Sequence, residues 1–409
     1  MRYSQYFPKT VKEAPKDEVA INAKYLLRGG FIDKLMAGSY TLLPLGRIVE
    51  RKIENIIREE MNATGAAEML MPLLHPKEIW NETGRWDKAD EVMYKLKKGD
   101  KEYVLSFTHE EIFLDVARKH LKTYRDLPLL LYHMSTKFRS ELRVKSGILR
   151  GREFLMKDLY SLHTNEQEMN NYYWKVKDAY LKIFKRLNLD AVVVEAAGGV
   201  FTDAHTHEFQ VRSEAGEDTI YFKKGWEYWK NKEIMTEEEL KDPEIESKNA
   251  IEVGNIFRYG VEYSKKMDVS FTDSSGGKQY AWFGAYGIGI TRLIGVLVEI
   301  FHDDKGIIWP EAVAPYHVHL IGLNLENETV KKQVEKVYDS LQKAGIEVLY
   351  DDRENVGPGE KFADADLLGV PVRLVVSLKS GDKVEWKKRS AKETELLTIE
   401  EIINKLKSK

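Results

Sequence analysis

The chain has 409 residues, of which 43% are hydrophobic and 32% are charged, and its formal net charge is −3. A nearly neutral chain is not expected to bind nucleic acid through bulk positive charge, although local basic patches could still do so. The absence of cysteine excludes disulfides, thiolate metal sites and cysteine nucleophiles, and it suits a reducing compartment. No apolar run reaches the roughly 18 residues that a membrane-spanning helix needs, and the first residues lack a signal-peptide pattern. We therefore expect no membrane segment, and at about 150 residues per domain we expect two or three domains.

Two long helices are predicted in the first half of the chain. Residues 45–61 place their apolar side chains on one face, and Gly65 suits the end of this helix. Residues 165–187 carry a second apolar stripe, and Thr164 and Gln167 stand at the spacing of a capping box before it. Because such stripes usually pack into a core, we interpret both as buried faces.

Strands are predicted between and after these helices. Residues 138–163 show the pattern of a strand, a loop and a second strand, with residues 143–151 in the loop. Residues 217–250 are charged and rich in turn-forming residues, and we interpret them as a small connector. Further strands are predicted at residues 191–195, 251–257 and 278–283, and a helix is predicted to begin near Gly289. Irregularly spaced strands of this kind suit a mostly antiparallel sheet with helices packed on it.

A second domain is predicted at the C-terminal end. Pro310 and Pro315 mark a boundary, and we divide the chain into residues 1–311 and residues 312–409. Beyond the boundary, strands alternate with helices, which is typical of a compact α/β domain. The predicted fold class is therefore α/β, with an α+β first domain built on an antiparallel sheet and a C-terminal α/β domain.

The first segment that suggests chemistry lies on the predicted hairpin. Arg139 and Glu141 are two residues apart, so their side chains would share one face of a strand. A guanidinium binds phosphate through a forked pair of hydrogen bonds, and a carboxylate can accept the amino proton of adenine. Phe154 on the returning strand could stack on a base, and Arg150 and Arg152 add positive charge. The pattern suits a nucleotide, although a surface ladder of salt bridges would look the same.

The second segment is the run FGAYGIGITR at residues 283–292. Its glycines let the backbone approach a ligand closely, and Arg292 lies where a helix opens, at the end that favours anions. The glycine spacing differs from a dinucleotide-binding fingerprint, and no Gly-Lys-Ser/Thr ends the run as in a P-loop. The run indicates either an anion site or close packing of a strand on a helix.

Taken together, the two segments resemble motifs 2 and 3 of the class II aminoacyl-tRNA synthetases. Residues 45–61 with Met71-Pro72 resemble motif 1, the dimer helix and strand of that family. The closer resemblance is to prolyl-tRNA synthetases of bacterial type that lack the editing insertion. It is carried by LRGREFLMKDLYSLH at 149–163, THEE at 108–111, THEF at 206–209, IEVGNIF at 251–257, and YDDR at 350–353 with GEKFADADLLGVP at 359–371, where the last two resemble an anticodon-binding domain.

The resemblance implies that the chain attaches L-proline to tRNA(Pro) with ATP, through a prolyl-adenylate. It also implies Mg²⁺ as the companion of ATP, a homodimer, a cytoplasmic location and no membrane partner. Neither chemical step needs a covalent enzyme nucleophile, which agrees with the absence of cysteine. The enzyme's part would be to position the substrates and to neutralise charge at phosphorus.

The family's roles carry over onto particular residues of this sequence. Arg139 would hold the α-phosphate and the proline carboxylate, and Arg292 would hold the γ-phosphate, so both are predicted to be catalytic. Glu252 is the residue expected to help hold Mg²⁺. The residues expected around ATP are Arg139, Glu141, Arg150, Arg152, Phe154, Glu252, Gly289 and Arg292. The residues expected around proline are Thr108, Glu110, Arg139, Met156, Asp158, Tyr160 and His207.

The sequence departs from the family pattern at two places, and three other functions fit parts of it. Asn255 stands where a histidine is usual, and Ala285 replaces a frequent cysteine. A non-catalytic synthetase-like subunit typically loses the arginines of motifs 2 and 3, which are present here. A threonyl enzyme needs a zinc site with a cysteine ligand, which this chain cannot make. A generic ATP-dependent ligase would not need the tail domain.

The interval between motifs 2 and 3 leads to a prediction about accuracy. Larger bacterial prolyl enzymes carry an editing domain there, and residues 217–250 are too short to form one. A binding pocket discriminates against a ligand that lacks one methylene by only about 1–3 kcal/mol, so we expect slow activation of alanine. Because the editing domain is missing, we expect no hydrolysis of alanyl-tRNA(Pro). Incubation of the chain with alanyl-tRNA(Pro) tests this, and hydrolysis above the spontaneous rate would contradict it.

Overall fold

The computed structural model of the chain describes residues 1–16, 18–142, 146–199 and 205–408. Residues 143–145 of the predicted loop therefore lie outside the described residues. Within these ranges, no helix combines the length and the apolar character needed to cross a lipid bilayer. The α-helices are α1 (Ile21–Arg28), α2 (Pro44–Ala63), α3 (Lys77–Thr83), α4 (Arg85–Lys88), α5 (Glu110–His120), α6 (Glu166–Arg186), α7 (Glu262–Lys266), α8 (Ile290–Ile300), α9 (Glu328–Lys343), α10 (Pro358–Leu368) and α11 (Ile399–Lys407).

The strands extend along most of the described chain. They are β1 (Ile32–Met36), β2 (Ser39–Leu42), β3 (Ala67–Glu68), β4 (Leu74–Pro76), β5 (Lys95–Lys98), β6 (Lys101–Leu105), β7 (Leu129–Phe138), β8 (Glu153–His163), β9 (Ala191–Ala196), β10 (Thr206–Arg212), β11 (Asp218–Phe222), β12 (Trp229–Asn231), β13 (Glu246–Gly260), β14 (Ser270–Thr272), β15 (Lys278–Tyr280), β16 (Trp282–Gly289), β17 (His302–Asp303), β18 (Gly306–Ile307), β19 (Val318–Gly322), β20 (Val348–Asp351), β21 (Val372–Val376), β22 (Val384–Lys388) and β23 (Glu395–Leu397).

The chain forms two compact units, each built from separate stretches of sequence. The first unit consists of Met1–Leu35, Thr41–Lys52 and Leu297–Lys409, and the second consists of Met36–Tyr40 and Ile53–Val296. The N-terminal stretch therefore belongs to the same unit as the C-terminal one. The predicted boundary between residues 311 and 312 divides the chain at a single point, whereas each unit combines separate stretches of sequence. The boundary therefore stays a prediction.

The second unit is organised around a nine-stranded sheet in the order β10-β9-β12-β11-β13-β16-β8-β7-β3. Its neighbouring strands are antiparallel except for β12 with β9 and β3 with β7. The prediction of a mostly antiparallel sheet with helices packed on it is confirmed. The charged stretch 217–250 contributes β11 and β12 to this sheet, so it is a part of the architecture rather than a loose connector.

Strand β8 supplies one face of the region that becomes important below. Asp158 lies opposite Gly287 of β16, and Met156 lies opposite Gly289. Because side chains alternate along a strand, Met156, Asp158 and Tyr160 point to the same face of the sheet. The two glycines on the neighbouring strand keep that face open beside them.

The two predicted apolar stripes of the first half of the chain are buried in the core. α6 packs against β8, β13 and β16 on one side of the sheet. The stripe residues, each at most 6% exposed, are Leu45, Val49, Ile53, Ile56, Ile57, Met61, Met169, Tyr173, Val176, Tyr180, Ile183 and Leu187. The predicted capping box at the start of α6 is wrong by one residue. Asn165 is the cap, and its side chain accepts from the Glu168 amide at 3.0 Å, because asparagine is at least as good a cap as threonine.

The C-terminal part of the first unit follows the predicted alternation of strands and helices. Its five-stranded sheet has the order β20-β19-β21-β22-β23, in which β19 is parallel to both β20 and β21. The core between this sheet and α9 and α11 includes Val334, Leu374 and Ile402, which are all fully buried. The prediction of an α/β arrangement here is confirmed.

Candidate active site

A cavity of about 330 Å³ lies in the second unit, lined by residues of β8, β13 and β16 and of the loops beside them. The residues predicted from the sequence that line it are Thr108, Glu110, Arg139, Glu141, Arg150, Phe154, Met156, Asp158, Tyr160, Glu252, Gly289 and Arg292. The structure thus brings together every predicted site residue except Arg152 and His207.

Arg139 follows the last residue of β7 and points into the cavity. Its Nε donates to the carbonyl of Phe107 at 3.2 Å, and its guanidinium carbon lies 5.3 Å from the centre of the Phe154 ring. Burial lowers the pKa of Arg139, Asp158 opposes this shift, and the positive charge of Arg292 adds to it. Because Arg139 and Arg292 both line this cavity, the two guanidinium groups can act on one ligand.

Arg292 lies in the first turn of α8, where helix geometry favours anions. Its Nε donates to the carbonyl of Leu149 at 2.9 Å. Its Nη1 donates to the Glu252 carbonyl at 2.9 Å and to the Glu252 carboxylate at 3.0 Å. These contacts hold the guanidinium between the loop before β8 and the strand β13, so its direction is fixed before any ligand arrives.

The loop between β7 and β8 contributes a second ion pair at the cavity. Arg150 pairs with the Glu141 carboxylate at 3.3 Å and with Glu217 at 3.0 Å. Arg152 supports this loop from outside the cavity, since its Nε donates to the Glu141 carbonyl at 3.1 Å and its amide donates to the Gly38 carbonyl at 2.6 Å. The prediction that Arg152 lines the ATP site is therefore not met, because its side chain is used to hold the backbone of Glu141.

Another wall of the cavity is built around a carboxylate. Glu110 is the first residue of α5, and the helix dipole favours an acid at this position. The Thr108 hydroxyl donates to Glu110 Oε2 at 2.6 Å. Tyr160 closes the same wall, where its hydroxyl accepts from the His109 amide at 3.1 Å. The wall offers acceptors to a cation together with the flat face of an aromatic ring.

Three buried groups beside this wall could be mistaken for a metal site. Ligand atoms of His109, His133 and Asp158 lie within 4.8 Å of one another. The ammonium of Lys137 occupies that place, because its Nζ lies 2.8 Å from His109 Nδ1, 3.2 Å from His133 Nε2 and 2.5 Å from the Asp158 carboxylate. Burial raises the pKa of Asp158, but Lys137 and then His133 outweigh it and leave that pKa well below its usual range.

His207 does not line the cavity, contrary to the sequence-based expectation. Its Nδ1 lies 2.7 Å from the Tyr173 hydroxyl, and its ring packs against Trp174 with the ring centres 5.1 Å apart. Because side chains alternate along β10, the cavity-facing residue is the next one, Glu208.

Sequence reasoning missed several residues that line the cavity, among them Glu208, Glu233 and Gly287. Glu208 accepts from Gln210 Nε2 at 2.7 Å, and burial, followed by the charge of Glu252, raises its pKa. Glu233 comes from the stretch 217–250, and its carboxylate accepts from the Ala197 amide at 2.7 Å. The sequence signals for them were Glu208, which lies in the THEF segment beside His207, and Gly287, which lies in the glycine run at 283–292.

Asn255, the departure from the family pattern, also lines the cavity. Its Nδ2 donates to the Glu208 carboxylate at 3.4 Å, and Asn231 donates to the same carboxylate at 3.2 Å. An amide at this position can donate to Glu208 without carrying a charge of its own.

Comparison with known proteins gives the same picture from an independent direction. The family described as tRNA synthetase class II core domain (G, H, P, S and T) matches residues 94–301, and the anticodon binding domain family matches residues 313–409. The proline--tRNA ligase of Wolbachia sp. subsp. Brugia malayi (strain TRS) is 40% identical over 423 residues, which cover 99% of both chains. That of Anaplasma phagocytophilum (strain HZ) is 39% identical over 429 residues, 99% of this chain and 100% of the other.

The chain belongs to the proline--tRNA ligase family. The fold agrees with this assignment: prolyl-tRNA synthetase from Cryptosporidium parvum complexed with halofuginone and AMPPNP superposes with a TM-score of 0.80 and 21% identity, over 95% of this chain and 76% of that chain. The Giardia lamblia prolyl-tRNA synthetase in complex with prolyl-adenylate gives 0.79 and 19%, over 93% and 74%. The predicted family and fold are confirmed.

A substitution at Gly287 tests how closely the side chains around the cavity are packed. A Cβ at this position would lie 2.5 Å from Met156 Cε and 3.8 Å from an Asp158 oxygen. Gly287→Ala should therefore push the Met156 side chain into the cavity and raise the KM for proline about tenfold in pyrophosphate exchange. Gly357→Ala is the control, because a Cβ there meets no atom within 4 Å. Equal KM values for the two variants would contradict the expectation that Met156 lies beside proline.

Proposed function

We propose that this chain activates L-proline with ATP and transfers it to tRNA(Pro). In the first step an oxygen of the proline carboxylate bonds to the α-phosphorus of ATP, and the bond from that phosphorus to pyrophosphate breaks. In the second step a hydroxyl of the terminal adenosine bonds to the prolyl carbonyl carbon, AMP leaves and the hydroxyl proton is released. One observation carries the proposal: Arg139 and Arg292 line the same cavity as the Glu110 carboxylate.

The arginines would act on the charged end of ATP. Arg139 would contact the α-phosphate and the proline carboxylate, because it lies beside the Phe154 ring and lines the same cavity as Asp158. Arg292 would contact the γ-phosphate, assisted by Arg150. Guanidinium groups fixed before binding stabilise the charge that builds at phosphorus without a cost of reorganisation.

The adenine would lie against the loop between β7 and β8. Phe154 offers a ring on which a base can stack, and the Glu141 carboxylate can accept the adenine amino proton. Gly289 lies opposite Met156 and adds no side chain there, which leaves room for the nucleotide. The glycines of β16 would thus allow the close approach of a ligand that the sequence suggested.

The proline would lie against the wall formed by α5 and β8. The hydrogen bonds to Glu110 from Thr108 and from Arg85 both fall on Oε2. The secondary ammonium of proline has two N–H groups, for which Oε1 and the Thr108 oxygen are suitable acceptors. Met156 and Tyr160 would flank the ring, and Asp158 completes this face.

The acidic residues of the cavity fit a magnesium ion that accompanies ATP. Glu208 and Glu252 both line the cavity, and burial, followed by the charge of Glu252, raises the pKa of Glu208. Oxygen ligands of this kind suit Mg²⁺, and Glu252 with Glu208 would hold it. When bound, the ion would neutralise part of the phosphate charge.

The proposal extends to the assembly and location of the enzyme. The family's motif 1 comprises α2 and the segment after β3, where Leu70 is 78% exposed and Leu74 is 51% exposed. We infer that this apolar segment is covered by a second copy in a homodimer. We propose a cytoplasmic location for the enzyme, as the family resemblance implies.

The two guanidinium groups give the main test of the mechanism. Arg139→Ala and Arg292→Ala should each lower proline-dependent pyrophosphate exchange by about 100-fold or more, because each removes a fixed donor from the transition state. Arg118→Ala is the matched control, since Arg118 pairs with Glu82 and Asp115 away from the cavity. Exchange at the rate of the control in either variant would refute that arginine's role.

Light scattering tests the homodimer. The chain should scatter with twice the mass of one copy, and Leu70→Asp should shift it towards a single copy because a charge cannot be buried unpaired at an interface. Leu240→Asp changes an exposed leucine of the stretch 217–250 and should leave the mass unchanged. A wild-type chain of single mass would contradict the proposal.

A further inference from the structure

A buried group of three charges lies directly behind the proposed proline wall. Arg85 Nη1 lies 3.1 Å from the Glu110 carboxylate and 3.1 Å from the Glu111 carboxylate. The three side chains are 6%, 5% and 0% exposed, respectively. Of the three, only Glu110 lines the cavity, so Arg85 acts on a bound ligand only through its partners.

The local fold fixes the position of Arg85. It is the first residue of α4 and follows Gly84, whose φ of 75° sets the turn between α3 and α4. Its guanidinium carbon lies 5.4 Å from the ring centre of Trp80 and 5.1 Å from that of Phe107. Aromatic faces stabilise a cation while excluding water. The guanidinium therefore cannot swing away without leaving these faces.

The hydrogen bonds give the carboxylates of Glu110 and Glu111 different roles. Glu111 receives both Arg85 Nη1 and the Thr83 hydroxyl, which donates to Glu111 Oε1 at 2.7 Å. Glu110 receives Arg85 and Thr108 on the same oxygen, Oε2. Glu111 is thus fully enclosed, whereas Glu110 lines the cavity.

The charges of the group do not cancel. One guanidinium faces two carboxylates, so one negative charge is left over, and Glu110 is the only member that can present it to a ligand. Burial and then the neighbouring Glu110 raise the pKa of Glu111, while Arg85 opposes that rise. Arg85 is therefore shared between the two carboxylates, and Glu110 is not its sole partner.

We propose that Arg85 is a positioning residue for Glu110, and that Glu111 keeps Arg85 from neutralising it. The group selects an amino acid by its ammonium: it orients one carboxylate oxygen towards the N–H groups of the bound imino acid and preserves the charge on that carboxylate. This inference rests on the proposed function of the cavity and adds the two residues that set its preference for a cation.

The test separates recognition of the ammonium from recognition of the ring. Proline carries a secondary ammonium, and tetrahydrofuran-2-carboxylate has the same ring size and carboxylate with an uncharged ether oxygen in its place. The KM for proline and the KM for ATP are measured by pyrophosphate exchange, and the ether acid is measured as a competitive inhibitor. The variants are Arg85→Met, Glu111→Gln and Glu110→Gln in the full chain, with Arg118→Met as the control.

Arg85→Met should raise the KM for proline about 30-fold, a size typical for the loss of one partner of a buried charge pair. The KM for ATP and the inhibition constant of the ether acid should change by no more than about twofold. Glu111→Gln keeps the shape of Glu111 but lets Arg85 neutralise Glu110 more fully. It should raise the KM for proline about threefold and leave binding of the ether acid unchanged.

Arg85→Met leaves two buried carboxylates together and could fail to fold, which a thermal melt detects. In that case the double variant Arg85→Met with Glu111→Gln removes one charge of each sign and should give the same proline-specific loss. A variant that loses affinity for proline, the ether acid and ATP alike would show that Arg85 only stabilises the core, and it would overturn the inference. A normal KM for proline in folded Arg85→Met would do the same.

Glu110→Gln distinguishes this inference from the proposed function beneath it. If Glu110→Gln leaves the KM for proline unchanged, the assignment of the proline wall fails, and the inference fails with it. If Glu110→Gln raises that KM while the Arg85 and Glu111 variants do not, the wall is correct and only the role of Arg85 is wrong. Arg118→Met should match the wild type throughout, because Arg118 contacts neither Glu110 nor the cavity.

Discussion

Antiparallel pairing between β8 and β16 is the constraint on which the candidate site depends. It places Asp158 opposite Gly287 and Met156 opposite Gly289, so cavity-facing side chains of β8 lie beside glycines of β16. Since a shift of one residue in this register would turn every side chain to the other face, the cavity exists only in this pairing. Helix α8 then starts directly after β16, which brings Arg292 to the same place.

Within this frame, several charged groups of the site have partners that fix their positions. Arg292 is held by carbonyl oxygens and by Glu252, and Asp158 is held by the ammonium of Lys137. Glu110 shares Arg85 with a second carboxylate. Buried charges without such partners would be expelled or neutralised. The site can therefore meet a triphosphate and a zwitterionic amino acid with groups that need little rearrangement.

Much of the fold could be predicted from the sequence, because apolar stripes and alternating strands depend on local spacing. The helix α2, the helix α6 and the alternating C-terminal strands are of this kind. The choice between His207 and Glu208 is different, since the face of β10 depends on its pairing with β9 and β13, and the pairing with β13 is shifted between Phe209 and Gln210. Arg85 gave no signal at all, because its burial among aromatic rings arises only from tertiary packing.

One cavity is proposed to bind both the nucleotide and the imino acid between two fixed guanidinium groups. A crystal structure of the chain with a non-hydrolysable prolyl-adenylate analogue, prolyl-sulfamoyl adenosine, would show this arrangement. We expect the sulfamoyl group within hydrogen-bonding distance of Arg139, the adenine beside Phe154 and the pyrrolidine nitrogen at the Glu110 carboxylate. An analogue seated outside this cavity, or with its pyrrolidine ring turned away from Glu110, would refute this binding mode.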